Sequence, residues 1–273
     1  MPLYNELNAG AGVISMFVGS GALVQSKYVK NGSHYRLYGG LLCRTGSAGG
    51  INYVIYSDDF GASWKVLGGA TATAVDTGGD EAKVEEMPDG SVLLSSRKQG
   101  GRIFNIWRWD DDTFTTGEWD GQQGSDTSNN GIVAGNNGTN GEILIVPAKR
   151  ASDGKKMYLA MQSIPFGNGR ANVGIYFKGL ENKEAFGTTT DFAKNWTKGL
   201  QVSYKNSAYS AMILQSDGNI GFMVEEETNS GCQYSEMYHN LTIEEITDGQ
   251  YVKLADGETI DESQYAPGYK PIT

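Results

Sequence analysis

The sequence predicts an all-β chain whose short strands repeat as the blades of a β-propeller, and three observations carry that expectation. Gly is abundant (38), Pro scarce (6) and aromatic residues plentiful (11%), a balance that suits many short strands joined by tight turns. Apolar-rich runs alternate with clusters of Gly, Asn, Asp and Ser along most of the chain. One hairpin plan also recurs: Glu81 to Arg97 and Tyr209 to Glu225 each place an Asp-Gly turn, Asp89-Gly90 and Asp217-Gly218, between two apolar-rich strands. Repeats of roughly 40 to 60 residues made of short strands are the signature of propeller blades.

Taken in order, strands are expected at Ala22 to Val29, His34 to Cys43, Asn52 to Ser57, Lys83 to Met87, Ser91 to Arg97 and Ile103 to Trp109. They continue at Gly141 to Ala148, Met157 to Gln162, Asn172 to Lys178, Ala208 to Gln215 and Asn219 to Glu225. Gly117 to Gly141 is the longest polar connection, and a third hairpin is expected to pivot on Asn140-Gly141. Helical signal is confined to the tail, where Thr242-Ile-Glu-Glu-Ile246 begins like a capping box. A chain of 273 residues can bury a sizeable core, and a single domain over 1–273 is the expectation.

Charge and composition exclude several function classes. A net charge of −10 argues against a nucleic-acid groove or an anionic membrane surface, which would need a broad basic field. No run approaches 18 apolar residues, so no membrane insertion is expected, and the N-terminus lacks the pattern of an export signal. Cys43 and Cys232 are too few for a disulfide framework and are not spaced as metal ligands; they read as buried small apolar residues or as one long-range bridge. His34 and His239 lie near no Ser or Cys motif. Neither a metal nor a cofactor is expected.

In each Asp-Gly hairpin, the residues eight before and eight after the Asp meet at the open end: Glu81 with Arg97, and Tyr209 with Glu225. A framework that stays constant while its tips vary among Glu, Arg and Tyr reads as a scaffold aiming polar groups at one point. A second marker is Ser57-Asp58-Asp59-Phe60-Gly61-Ala62-Ser63-Trp64, of the pattern S-x-D-x-G-x-[ST]-W. Such a turn satisfies itself: Asp59 and the Ser hydroxyls bond loop backbone, Gly61 permits an awkward φ, and Trp64 wedges under the sheet. Thr189 to Trp196 is a weaker copy that lacks the Gly.

This pattern is the Asp box, and with it the chain resembles the sialidase (neuraminidase) family. Gly79 to Glu86, Leu94-Ser95-Ser96-Arg97, Arg170 to Tyr176 and Ser207-Ala208-Tyr209-Ser210 follow the box in the order seen in bacterial and animal sialidases. Phe17 to Gln25 also looks like the strand that opens a mid-propeller blade in these enzymes. The similarity runs from about residue 15 to about residue 250 and is closest to secreted sialidases of gut bacteria. It implies a six-bladed sialidase-type β-propeller, here incomplete with about four blades, in a periplasmic or extracellular setting.

The resemblance also implies a function, that of an exo-α-sialidase, a retaining glycoside hydrolase acting on sialylated glycans. Tyr209 matches the nucleophile and Glu81 the carboxylate that deprotonates it. Arg97 and Arg170 match the second and third members of the arginine triad that grips the sialic acid carboxylate. Glu225 resembles the acidic residue that orients the first arginine, and Asp59 of the box is structural. The chemistry fits these residue types. Sialic acid carries a carboxylate on its anomeric carbon, so an anionic nucleophile would approach against like charge, whereas a phenol is neutral until a base draws off its proton. Guanidinium groups hold a carboxylate through paired hydrogen bonds.

One departure stands out. The family's first triad arginine, in an Arg-Ile-Pro-like motif, and its acid/base aspartate have no counterpart, because Arg36 and Arg44 are strand residues and no Asp precedes Asp58. The expectation is therefore a chain lacking the N-terminal blades, or one that forms a homo-oligomer to cover its open edges. A non-catalytic sialic-acid-binding or interaction propeller fragment is the competing reading, and hydrolase against transferase stays open. Without the resemblance, Tyr209 reads as one of 15 tyrosines filling a blade, and Glu81 as a solvated strand end beside Glu85 and Glu86. Arg97 and Arg170 then read as rim arginines.

Overall fold

The computed structural model describes residues 2–19, 22–46, 50–72, 79–110, 112–135, 138–228 and 234–265; Cys232 lies outside them. Four antiparallel sheets follow one another along the chain. The first contains β1 (Ser15–Val18), β2 (Val24–Asn31), β3 (His34–Arg44), β4 (Gly50–Ser57) and β5 (Lys65–Val66). The second is β6 (Ala82–Glu86), β7 (Val92–Lys98), β8 (Gly101–Trp109) and β9 (Gly117–Ser125), in that order. The third runs β10 (Ile143–Arg150), β11 (Lys156–Pro165), β12 (Val173–Leu180) and β13 (Thr197–Gln201). The fourth is β14 (Ser207–Leu214), β15 (Ile220–Glu226) and β16 (Ser235–Leu241), after which β17 (Tyr251–Val252) returns to pair with β10.

The leading strands lie side by side, β6 against β10 and β10 against β14, which is the blade arrangement of a propeller. Three apolar seams hold the stack together. Tyr38, Val54, Ala82, Val84 and Trp107 join the first two sheets. Phe104, Ile106, Ile145, Phe192 and Trp196 join the second and third. Leu159, Phe177, Met212, Phe222 and Val224 join the third and fourth. Strands sandwiched in this way are buried on both faces, so all of β6 is buried; β16 mixes exposed and half-buried residues because one face of the fourth sheet is open. Ile213, Met223 and Tyr238 stand exposed on that face, as do Phe17, Val18 and Leu23 on the first sheet.

The two repeated hairpins form as expected. Gly90 and Gly218 take φ of 80° and 82°, and Asp89 and Asp217 each accept the N–H two residues on, from Ser91 and Asn219. The turn from Ser57 to Trp64 joins β4 to β5 and satisfies itself. Asp59 accepts from Ser57 Oγ and from the N–H and hydroxyl of Ser63, Ser57 Oγ accepts from Gly61 N–H, and Gly61 takes φ of 88°. Arg36 pairs with the neighbouring Asp58 through Nε (2.7 Å) and Nη2 (3.0 Å) and stacks on Tyr56, so it is a structural residue of the first sheet. Cys43 is buried, and it has no disulfide partner among the described residues.

Several expectations are corrected. Phe17 to Gln25 is not one strand: β1 ends at Val18 and β2 begins at Val24, and each pairs with a different half of the long β3. Helix is not confined to the tail. Helix α1 (Pro2–Ala11) packs Leu7 onto Leu41, Tyr53 and Ile55 of the first sheet, and α2 (Thr189–Ala193) precedes the tail helix α3 (Ile243–Ile246). The weaker box copy is this α2, capped by Thr188; where the first box has Gly61 it has Ala193, which resists a positive φ. The first nine residues of the long polar connection are the edge strand β9 (Gly117–Ser125).

Asn140-Gly141 is not a hairpin pivot either, because β9 and β10 belong to different sheets and β10 turns into β11 through residues 151–155. Gly141 serves close approach instead: a Cβ there would lie 1.8 Å from the Ser163 carbonyl oxygen. Gly141→Ala is expected to destabilise the fold by about 1–3 kcal/mol through this overpacking, measured as a lower urea midpoint with an unchanged m-value.

Candidate active site

The open ends of the two repeated hairpins meet. Arg97 N–H donates to the Glu81 carbonyl (3.0 Å), which extends the β6–β7 ladder one residue beyond β6 and sets both side chains at its tip. Across the stack, Tyr209 Oη donates to Glu81 Oε1 (3.1 Å). Arg97 Nη1 donates to Glu81 Oε2 (2.8 Å) and to Tyr209 Oη (3.4 Å). The exposed Arg170, whose carbonyl accepts from Ser207 N–H at the start of β14, places its guanidinium carbon 5.4 Å from the Tyr209 ring centroid. Glu225 Oε2 accepts the backbone N–H of Tyr209 (3.3 Å). All five residues singled out in the sequence therefore lie in one cluster.

A buried polar layer lies beneath this cluster. Lys83, two residues along β6 from Glu81, pairs with Glu142 at 3.2 Å, both side chains being almost fully buried (4% and 6% exposed). Ser95 Oγ donates to Gln162 Oε1 (2.6 Å), and Gln162 Nε2 donates to the Glu142 carbonyl (2.9 Å). Glu142 N–H donates to Ser163 Oγ (2.8 Å), which also receives the Ser210 hydroxyl (2.8 Å). Sheets two, three and four are thus cross-linked by hydrogen bonds just below the tips. Nor are Glu85 and Glu86 solvated: both are buried, and Glu86 accepts from Ser26 Oγ and Lys27 N–H. Sequence reasoning passed over Lys83, Glu142 and Gln162, although polar residues inside apolar strands were the available signal.

The electrostatics suit a proton held on the phenol at rest. Burial and the charge and hydrogen bond of Glu81 raise the Tyr209 pKa, while Arg97 and Arg170 oppose the rise. Burial alone would lower Arg97, but the hydrogen bond and charge of Glu81 outweigh it and the guanidinium is raised overall. In the layer below, burial pulls Lys83 down against Glu142, and pushes Glu142 up against Lys83. Asp59 is held down at about 2 by its Ser63 and Ser57 hydrogen bonds, so its carboxylate is committed to its own turn. Chemically, the cluster sets a phenol against a carboxylate able to accept its proton, with one guanidinium bonded to both and a second 5.4 Å from the phenol ring centroid.

The fold resembles that of solved sialidases. The intramolecular trans-sialidase of Ruminococcus gnavus, solved with oseltamivir carboxylate, superposes with a TM-score of 0.57 at 22% identity, over 86% of this chain and 46% of that one. The Hadza microbial sialidase Hz136 gives 0.57 at 18% identity, over 84% and 38%. A Trypanosoma rangeli sialidase in complex with 2,3-difluorosialic acid, described as a covalent intermediate, gives 0.50 at 14% identity, over 83% and 31%. No family model matches the chain, and no curated protein matches it. The described residues are mostly strand and form a four-blade β-propeller arrangement that matches these sialidase propellers. The chain spans less than half the length of the structures it matches.

Glu81→Gln removes both the charge and the ionic acceptor that hold the Tyr209 proton, so the phenol is expected to titrate at lower pH than in the parent. The difference in tyrosinate absorbance between each protein and its Tyr209→Phe counterpart measures this. A titration unmoved or moved upward would count against the pairing.

Proposed function

We propose that this chain is the tyrosine-bearing portion of an exo-α-sialidase, releasing terminal sialic acid from glycoconjugates by a retaining mechanism. The contact of Tyr209 Oη with Glu81, with Arg97 bonded to both, is the observation that carries the reading. Arg97 and Arg170 receive the substrate carboxylate. As the phenol attacks the anomeric carbon, its proton passes to Glu81, the oxygen–carbon bond forms, and the bond to the aglycone breaks with its electron pair leaving on the glycosidic oxygen. The negative charge of the pair also favours the developing oxocarbenium ion. Water, or a sugar hydroxyl in a transferase, then attacks the same carbon; the bond to Tyr209 breaks with its electron pair on the phenolic oxygen, Glu81 returns its proton there, and the attacking oxygen's proton goes to solvent, balancing the anionic aglycone.

In this reading the proton donor for the aglycone and a further arginine come from blades outside residues 1–273 or from another copy of the chain. The exposed apolar residues at the first sheet (Phe17, Val18 and Leu23) and on the open face of the fourth (Ile213, Met223 and Tyr238) are where such a neighbour would pack. A missing general acid slows natural glycosides by about 10²–10⁴-fold and spares substrates with good leaving groups.

The expected outcome is measurable release of methylumbelliferone from its α-sialoside, with little sialic acid freed from sialyl-lactose, and loss of the aryl activity in Tyr209→Phe. Inactivity on both substrates, together with sialic acid binding that Arg97→Ala and Arg170→Ala abolish, would replace the enzyme reading with that of a non-catalytic sialic-acid-binding fragment.

A further inference from the structure

The peptide bond that precedes Tyr209 is gripped on both of its polar sides. Ser207 lies opposite Glu226 on the neighbouring strand, whereas Ser210 lies opposite Val224, so β14 carries one extra residue at Ala208 and Tyr209. A bulge of this kind takes backbone groups out of the regular ladder and re-aims a side chain. Here side chains capture the freed groups: the Ala208 carbonyl accepts from the Thr139 hydroxyl (3.0 Å), and the Tyr209 N–H donates to Glu225 (3.3 Å).

Thr139 is itself anchored. It is completely buried, and its carbonyl accepts from Nη1 of Arg102 (3.2 Å). Arg102 is also completely buried, in β8 directly across the ladder from Arg97. Its Nε donates to Ser95 Oγ (3.0 Å) and its Nη2 to the Ser95 carbonyl (2.7 Å). Ser95 stands one strand from Lys83 in the hairpin that carries Glu81 at its tip. A continuous hydrogen-bonded path therefore runs from that hairpin, through Arg102 and Thr139, to the peptide that aims the phenol. Stability alone does not call for a guanidinium here, since well-packed apolar residues commonly replace buried charge without loss.

We infer that Arg102 and Thr139 are positioning residues for Tyr209: together with Glu225 they set the tilt of the Ala208–Tyr209 peptide, and through it the contact between phenol and Glu81. The inference rests on the reading of Tyr209 as the nucleophile. A misplacement of about 1 Å at a reacting group costs on the order of 100-fold in rate, so a modest loosening of this peptide registers in kcat. Neither residue touches the substrate in this account, so KM for a small aryl sialoside stays nearly constant.

The test is Thr139→Val, which keeps the shape and removes only the hydroxyl, beside Thr139→Ser, which restores it. With methylumbelliferyl α-sialoside, Thr139→Val is expected to lower kcat by about 10- to 100-fold with little change in KM, and Thr139→Ser to recover most of it. Thr139→Ala gives the same comparison if the valine protein does not fold. Parental kcat in Thr139→Val, while Tyr209→Phe is inactive, overturns the positioning role and leaves the nucleophile reading standing.

A second readout does not depend on turnover. The Tyr209 titration, taken as the difference from a Tyr209→Phe background, is expected to move toward the ordinary phenol range in Thr139→Val and to return in Thr139→Ser. Coincident titrations in all three proteins overturn the inference even if the parent hydrolyses nothing. A parent no more active than Tyr209→Phe, by contrast, sinks the nucleophile reading separately.

Discussion

The buried polar layer under the site is the constraint on which the rest depends. Lys83, Glu142 and Arg102 are almost entirely removed from water, and burial pushes the Arg102 guanidinium down to about 9. Groups buried in this way are tolerable only when paired and hydrogen-bonded, and removing one partner of a buried pair costs about 3–5 kcal/mol. The hydrogen bonds around them draw on three sheets at once: Ser95 of the second donates to Gln162 of the third, and Ser163 of the third accepts from the Glu142 N–H and from Ser210 of the fourth. Apolar seams bring the sheets together without fixing their depth; directional bonds fix it. That is how Glu81, just ahead of β6, and Tyr209, within β14, come to lie 3.1 Å apart although their sheets are not neighbours in the stack.

The proposed function builds on this placement by setting local charge against global charge. The chain carries a net charge of −10, which disfavours an anionic ligand at long range. Two guanidinium groups beside a single phenol supply local cations against that field, and Glu81 keeps one of them ordered while accepting the phenol's hydrogen bond. In the proposed mechanism the same carboxylate both orients a cation and accepts a proton. Such economy suits a site where the nucleophile must stay neutral until an anion has bound beside it.

Much of the fold was legible because it rests on local rules. Asp89-Gly90 and Asp217-Gly218 require a positive φ that only Gly adopts cheaply, so both hairpins, and the identity of the residues at their open ends, followed from the spacing. What the sequence hid depends on distant partners. Leu7 holds α1 by packing on the first sheet, a contact that no local signal reveals. Gly141 looked like a turn residue, but its role is to let the chain pass the Ser163 carbonyl. Strand β9, Gly-Glu-Trp-Asp-Gly-Gln-Gln-Gly-Ser, is an edge strand whose polar residues read as a loop. Lys83, Arg102 and Glu142 belong to residue types found mostly at surfaces, and only their three-dimensional partners explain their burial.

The most direct test of the account is incubation with 2,3-difluorosialic acid followed by mass spectrometry of the intact chain and its peptides. The anomeric substituent of this reagent departs as fluoride while the sugar stays on the nucleophile, so trapping needs no proton donor for an aglycone and probes only the groups that the chain itself supplies. A single sialyl adduct on the peptide containing Tyr209, absent from Tyr209→Phe, is the predicted result. An unmodified chain under conditions that saturate the site, or an adduct on another residue, would contradict it.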